Sequence, residues 1–133
     1  MIAVLGAAGR QPHAVAGADF TVEGGEGVMR QLLAEHSDLD GVFAANDLMA
    51  CLVLREHGRR IPEDVAVVGF DDSSAALSCR PRLTTVRRPV KNMAAEMVRM
   101  LLDAVAAPMA VGTAVEAATP VLFEPRLVIR DSA

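Results

Sequence analysis

The chain has 133 residues, enough for one domain with a real core, and 52% of them are hydrophobic. With 13 basic against 17 acidic residues the formal charge is -4, whereas a domain that held nucleic acid by itself would normally show a basic patch or stripe, so the chain reads as a poor DNA binder. Met1–Gly6 is apolar but lacks a basic n-region and runs at once into Arg10 and Pro12, so it does not read as a signal peptide.

From Val15 onward, short β-rich runs alternate with helical patterns, the mark of a mostly parallel sheet covered by helices. The fold class is therefore α/β. Val15 to Phe20 reads as a strand, and a helix follows from about Glu23 to Glu35 with Val28, Leu32 and Leu33 on its apolar face. Gly41 to Ala45 reads as a buried strand, after which Asn46 or Asp47 caps a helix that stops at Gly58, a residue suited to a left-handed C-terminal cap. Val65 to Phe70 is the clearest strand, a continuous apolar run of the kind buried on both faces, and Asp71-Asp72-Ser73-Ser74 ends it. Leu83 to Val86 is a short extended segment between Pro81 and Pro89. Pro89 opens a helix to Ala106, with Val90, Met93, Met97, Leu101 and Ala104 at helical spacing. Pro108, Gly112, Glu116 and Pro120 break the apolar stretch from Ala104 to Leu122 into a soluble Ala-rich loop, not a membrane span. The last strand, Val121 to Phe123 and Leu127 to Ile129, is broken or bent near Pro125.

Functional groups of a parallel sheet gather beyond the carboxyl ends of its strands. Three strands end there in Asp19-Phe20, Asn46-Asp47 and Asp71-Asp72. A carboxamide that donates and accepts, a strong carboxylate acceptor and a flat ring suit a hydroxylated small molecule, with sugars and nucleosides fitting best. Each residue also has a plainer role: Asn46 and Asp47 as helix caps, Asp71-Asp72 as a turn, Phe20 as core. Only their coincidence at one sheet edge favours a ligand site. Enzyme readings are thinner, since GxSxG, GxxxxGK[ST] and HExxH are absent and His13, His36 and His57 lie apart. Gly24-Gly25-Glu26-Gly27 at a helix start could cradle phosphate but for Glu26, and Asp71-Asp72 could hold magnesium only with further carboxylates. Cys51 and Cys79 have no CxxC spacing and no histidine at metal-ligand distance. They read as buried reduced thiols, in keeping with a cytoplasmic protein, and neither metal nor cofactor is expected.

Three stretches, Val42-Phe43-Ala44-Ala45-Asn46-Asp47-Leu48-Met49-Ala50, Ile61-Pro62-Glu63-Asp64-Val65-Ala66-Val67-Val68-Gly69-Phe70-Asp71-Asp72 and Leu83-Thr84-Thr85-Val86-Arg87 with Pro89 behind it, resemble consecutive signatures of LacI-type transcriptional repressors. Ala18-Asp19-Phe20 and Leu127-Val128-Ile129-Arg130-Asp131-Ser132 are similar to weaker ones, so the likeness runs from about Gly17 to the end. The resemblance implies the second lobe of a type I periplasmic-binding-protein-like sensor, spanning residues 1–133 and including a crossover segment and helix at 83–106. Two such lobes close on an effector, and an amino-terminal helix-turn-helix responds at operator DNA. The DNA-binding domain and first lobe would precede Met1. The resemblance carries effector binding to Asn46, Asp71 and Phe20, and it implies a sugar-like effector, a homodimer, no membrane partner and no catalysis. The helix after Asp47 is about one turn shorter than in the family and lacks the customary glycine after Ala50. The competing readings are an α/β sugar-processing or phosphotransfer enzyme and a free-standing solute-binding protein.

Overall fold

The apolar run that ends in Gly69-Phe70 becomes strand β4 (Ala66–Asp71), second in a sheet of four, because its branched residues are best placed between neighbours on both sides. The computed structural model describes residues 2–3, 15–16, 22–36, 39–56, 58–106 and 120–133. Its strands run in the order β3 (Gly41–Phe43), β4, β5 (Thr84–Arg87) and β6 (Arg126–Val128). The first three are parallel and β6 is antiparallel to β5. The mostly parallel α/β sheet expected from the alternation is thus present. β6 begins immediately after Pro125, where the missing N–H disturbs no ladder. A separate antiparallel pair joins β1 (Ile2–Ala3) to β2 (Val15–Ala16), a pairing the sequence did not announce. Of the strand expected at 15–20, Gly17 to Phe20 lie outside the described residues.

Helix α1 (Val22–Glu35) starts one residue before its expected position. Its described core-facing residues are Met29 and Leu32, with Val28 half-buried; the side chain of Leu33 lies outside the described residues. The helix packs on α2 (Asp47–Glu56), and α2 packs on β4 and on a short helix α3 (Ser74–Ser78). The sequence pattern assigns no element to Ser74–Ser78. Gly58 ends the α2 region at φ 60°, the left-handed conformation that glycine tolerates best. The core gathers Met29, Leu32, Leu39, Val42, Met49, Val53, Val65, Val67 and Leu83 around these contacts. Along β4 burial alternates: Val67 and Gly69 are fully covered, while Val68 and Phe70 are half-buried. The run expected to be buried on both faces is therefore sealed on one. On the other face the Phe70 ring meets Phe43 edge-on at 6.3 Å.

The cysteines correct the sequence reading. Cys51 on α2 and Cys79 at the end of α3 are joined as a disulfide, with Cα atoms 5.7 Å apart, inside the roughly 4.4–6.8 Å range such a bridge spans. Spacing along the chain could not reveal this, because only the docking of α3 on α2 brings the two positions together.

The chain divides into two compact units, Met1–Arg87 with Arg126–Ala133, and Arg88–Pro125. The second contains α4 (Val90–Ala106), as expected from its periodicity, but no α4 residue is buried. Val90, Met97 and Leu101 of the expected apolar stripe are all more than half exposed. Among the described residues no helix is long and apolar enough to cross a membrane.

Candidate functional site at the carboxyl ends of β3 and β4

Pairing of Phe43 with Val68 puts β3 and β4 in parallel register. Asn46 and Asp71 each lie three residues beyond that pair, at the same end of adjacent strands. The expected juxtaposition of carboxamide and carboxylate is therefore built into the register. Phe20, the expected aromatic partner, lies outside the described residues.

Asn46 caps α2, its Oδ1 accepting the Met49 N–H at 2.8 Å. Capping and ligand contact are compatible, because this bond uses only the oxygen. Among the described residues Nδ2 has no hydrogen-bond acceptor, which leaves a fixed donor at the strand end. Asp47 has a different task. It is 1% exposed, its Oδ1 accepts the Thr85 hydroxyl at 2.5 Å and its Oδ2 accepts the Ser73 N–H at 2.6 Å. One buried carboxylate thus ties the start of α2 to β5 and to the loop after β4, and two donors offset the cost of burying it. Gly69 makes the approach possible. A Cβ at that position would stand 2.5 Å from Asp47 Oδ1 and 2.7 Å from Leu83 Cδ2.

Beyond β4 the backbone turns through two consecutive non-glycine residues at positive φ, Asp71 at 118° and Asp72 at 56°. Such conformations cost on the order of 1–3 kcal/mol each and persist where surrounding contacts over-determine them. The contacts are specific here. Asp72 Oδ2 accepts Arg87 Nε at 2.5 Å, Asp72 Oδ1 accepts Arg130 Nη2, and the Asp72 N–H donates to Thr85 Oγ1 at 3.3 Å. Burial on its own would raise the Asp72 pKa, but the hydrogen bonds from Arg130 and Arg87 outweigh it and hold the carboxyl below its usual range. Arg130 is immobilised in turn, with Nη1 on the Leu83 carbonyl at 2.7 Å and its own N–H on Thr84 Oγ1 at 2.9 Å. Ser132 completes the clamp: its hydroxyl donates to Val67 O and accepts the Thr84 N–H.

Sequence reasoning named Asn46 and Asp71 but missed the roles of Asp47, Asp72, Thr85, Arg130 and Ser132. A partial signal existed, since only one member of Asn46-Asp47 can cap and the other acid needs partners elsewhere. The magnesium reading of Asp71-Asp72 fails because Asp72 is occupied by two guanidinium groups. Among the described residues no three metal-ligating side chains cluster. Gly24–Gly27 lie in the first turns of α1 itself, not in a loop ahead of it. A cavity of about 140 Å³ between α2 and α3 is lined by Leu48, Cys51, Leu52, Ala75, Ser78 and Cys79. Neither Asn46 nor Asp71 borders it, so it is separate from the strand-end site.

A family model described as the periplasmic binding protein-like domain matches residues 3–133. The chain belongs to this family. As a periplasmic binding protein-like domain it is 46% identical over 119 residues to the HTH-type transcriptional regulator CelR of Thermobifida fusca, covering 86% of this chain and 33% of that protein. Among solved structures it resembles a transcriptional regulator CelR–cellobiose complex, with a TM-score of 0.75 and 43% identity over 87% of this chain and 35% of that one. A LacI family regulator from Lactobacillus casei with bound sucrose gives a TM-score of 0.64 and 33% identity, covering 85% of this chain and 41% of the other. The LacI-type likeness is thereby established in sequence and in fold. The chain spans about a third of the length of CelR.

Proposed function

We propose that this domain is the carbohydrate-sensing lobe of a LacI-type transcriptional repressor and that Asn46, Asp71 and Phe20 contact the effector. The observation that carries the reading is the register of β3 and β4, which sets Asn46 and Asp71 at the same end of adjacent strands. A carboxamide donor and a carboxylate acceptor at the same end of adjacent strands suit the hydroxyls of a sugar. The relatives bound to cellobiose and sucrose support an oligosaccharide as the ligand class. The role is non-enzymatic. Operator DNA would be held by a helix-turn-helix outside these 133 residues, in the cytoplasm, and a first lobe outside them would complete the pocket. The domain alone, at a formal charge of -4, does not bind operator DNA specifically.

The test is titration of the ¹⁵N-labelled chain with cellobiose, with Asn46→Ala and Asp71→Ala beside it. Amides around both residues shift in the wild type, and each substitution weakens binding by about tenfold or more, the loss expected for one charged or buried hydrogen bond. Phe20→Ala weakens it too, through lost contact with the sugar C–H face. Undiminished binding by the Asn46 and Asp71 variants overturns the assignment; the isolated lobe is expected to bind only weakly, so it is a full-length repressor that does not respond to saturating cellobiose or sucrose that overturns the carbohydrate reading. A homodimer belongs to the same proposal, supported by the exposed Val90, Met97 and Leu101 of α4, whose burial is worth about 1.5–3 kcal/mol each. Sedimentation reads it directly, and a chain that stays monomeric at high concentration removes it.

A further inference from the structure

We infer that Arg130 is a positioning residue for the effector site: through Asp72 it fixes the backbone that presents Asp71, without touching the ligand. The inference rests on the assignment of Asp71 to the effector and extends it to a residue 58 positions from Asp72.

The geometry leads there in steps. Asp71 and Asp72 stand at φ 118° and 56°, so the turn that aims Asp71 is not one the chain would hold unaided. The Asp72 main chain supplies one restraint, a hydrogen bond to Thr85 Oγ1 that is long at 3.3 Å. The strand pairing of Asp71 with Arg87 and the Ser73 N–H bond to Asp47 hold the residues on either side, and the side-chain restraint on Asp72 itself comes through its carboxylate, which is 9% exposed and held by two arginines. They are not equivalent. Arg87 is 57% exposed, where solvent screens its charge, whereas Arg130 is 11% exposed. Arg130 is also pinned at two further points, the Leu83 carbonyl and Thr84 Oγ1, and it stands two residues before the buried Ser132. A rigid guanidinium therefore fixes the carboxylate, the carboxylate fixes Asp72, and Asp72 fixes the residue before it. Arginine suits this task better than lysine, because its planar fork donates to a carbonyl and a carboxylate at once.

Arg130→Met and Arg130→Lys, each alone and combined with Asp71→Asn, test the assignment in the 133-residue chain. Two readouts are needed. Without ligand, the amide shifts and N–H/Hα couplings of Asp71 and Asp72 change in Arg130→Met while those of Val42 and Met49 stay in place. With cellobiose as the probe, Arg130→Met weakens binding by about tenfold and Arg130→Lys by less, while Arg130→Met adds little once Asp71→Asn is present. Should Arg130→Met prove too unstable, Arg130→Lys, which keeps the charge, supplies both readouts. Unchanged couplings at Asp71 and Asp72, or a loss of affinity that simply adds to that of Asp71→Asn, overturn the inference. If Asp71→Asn alone leaves cellobiose binding intact, the effector assignment fails separately, and the couplings still decide whether Arg130 sets the turn.

Discussion

Both compact units carry helices with regular apolar spacing, yet the two treat that spacing in opposite ways. In the sheet-bearing unit, Met29 of α1 and Met49 of α2 are 1% and 2% exposed, and Leu83 at the start of β5 is wholly enclosed. In Arg88–Pro125, Met97 and Leu101 of α4 are 68% and 62% exposed, and the ion pairs described on the helix are local. Arg99 pairs with Glu96 and with Asp103 along one flank, over 17 residues of helix. Exposed pairs of that kind contribute only a few tenths of a kcal/mol. Periodicity thus reports that a face exists and what shape it has. Whether the face is covered depends on what else packs there.

The largest difference should appear on removing core volume. Leu83→Ala, which empties a wholly buried site against Gly69 of β4, is expected to cost about 2–5 kcal/mol in denaturant unfolding. A loss below about 1 kcal/mol would place the core elsewhere. Next comes the bridge that staples α2 to α3. Reduction of Cys51–Cys79, with a sequence separation of 28, frees a loop whose closure entropy corresponds to about 3–4 kcal/mol. The expected outcome is a lower midpoint in dithiothreitol, matched by Cys51→Ser in the absence of reductant. If the reductant leaves the midpoint unmoved, the bridge contributes nothing to the fold.

Acid should act on the same unit more gently. Asp72 has a folded pKa lowered by Arg130 and Arg87 against the opposing effect of burial. Its contribution is complete above the unfolded value of 3.8 and is lost as the pH falls through the lower folded value. A urea titration series from pH 6 downward therefore shows a loss of stability in that window that is smaller in Asp72→Asn. Identical pH profiles for both proteins would contradict the ion pairs. The smallest effect belongs to α4: Met97→Glu with Leu101→Glu, measured at low protein concentration, changes unfolding stability by less than about 0.5 kcal/mol. A loss as large as that of Leu83→Ala would mean that these side chains are covered in solution, erasing the contrast between the units.

The alternation of β runs with helical patterns was legible because it is local: Val65 to Phe70, the Asn46 cap, the Gly58 stop and the spacing of α4 each follow from propensities that neighbouring residues share. Asn46 and Asp71 were legible for a related reason. Parallel strands end on one side, so strand-end polar groups converge whatever the details of packing. Pairings between distant residues were not legible. The Cys51–Cys79 bridge, the Asp47 bonds to Thr85 and Ser73, and the Arg130–Asp72 ion pair join positions 26 to 58 residues apart. No periodicity encodes such contacts, and the need for Gly69 becomes visible only when Asp47 stands beside it. Sequence by itself determined which elements form and which groups the strands present. Tertiary structure alone decided how those groups are held, because holding a charge below the surface requires partners that only the docking of β5, β6 and α2 brings within hydrogen-bonding reach.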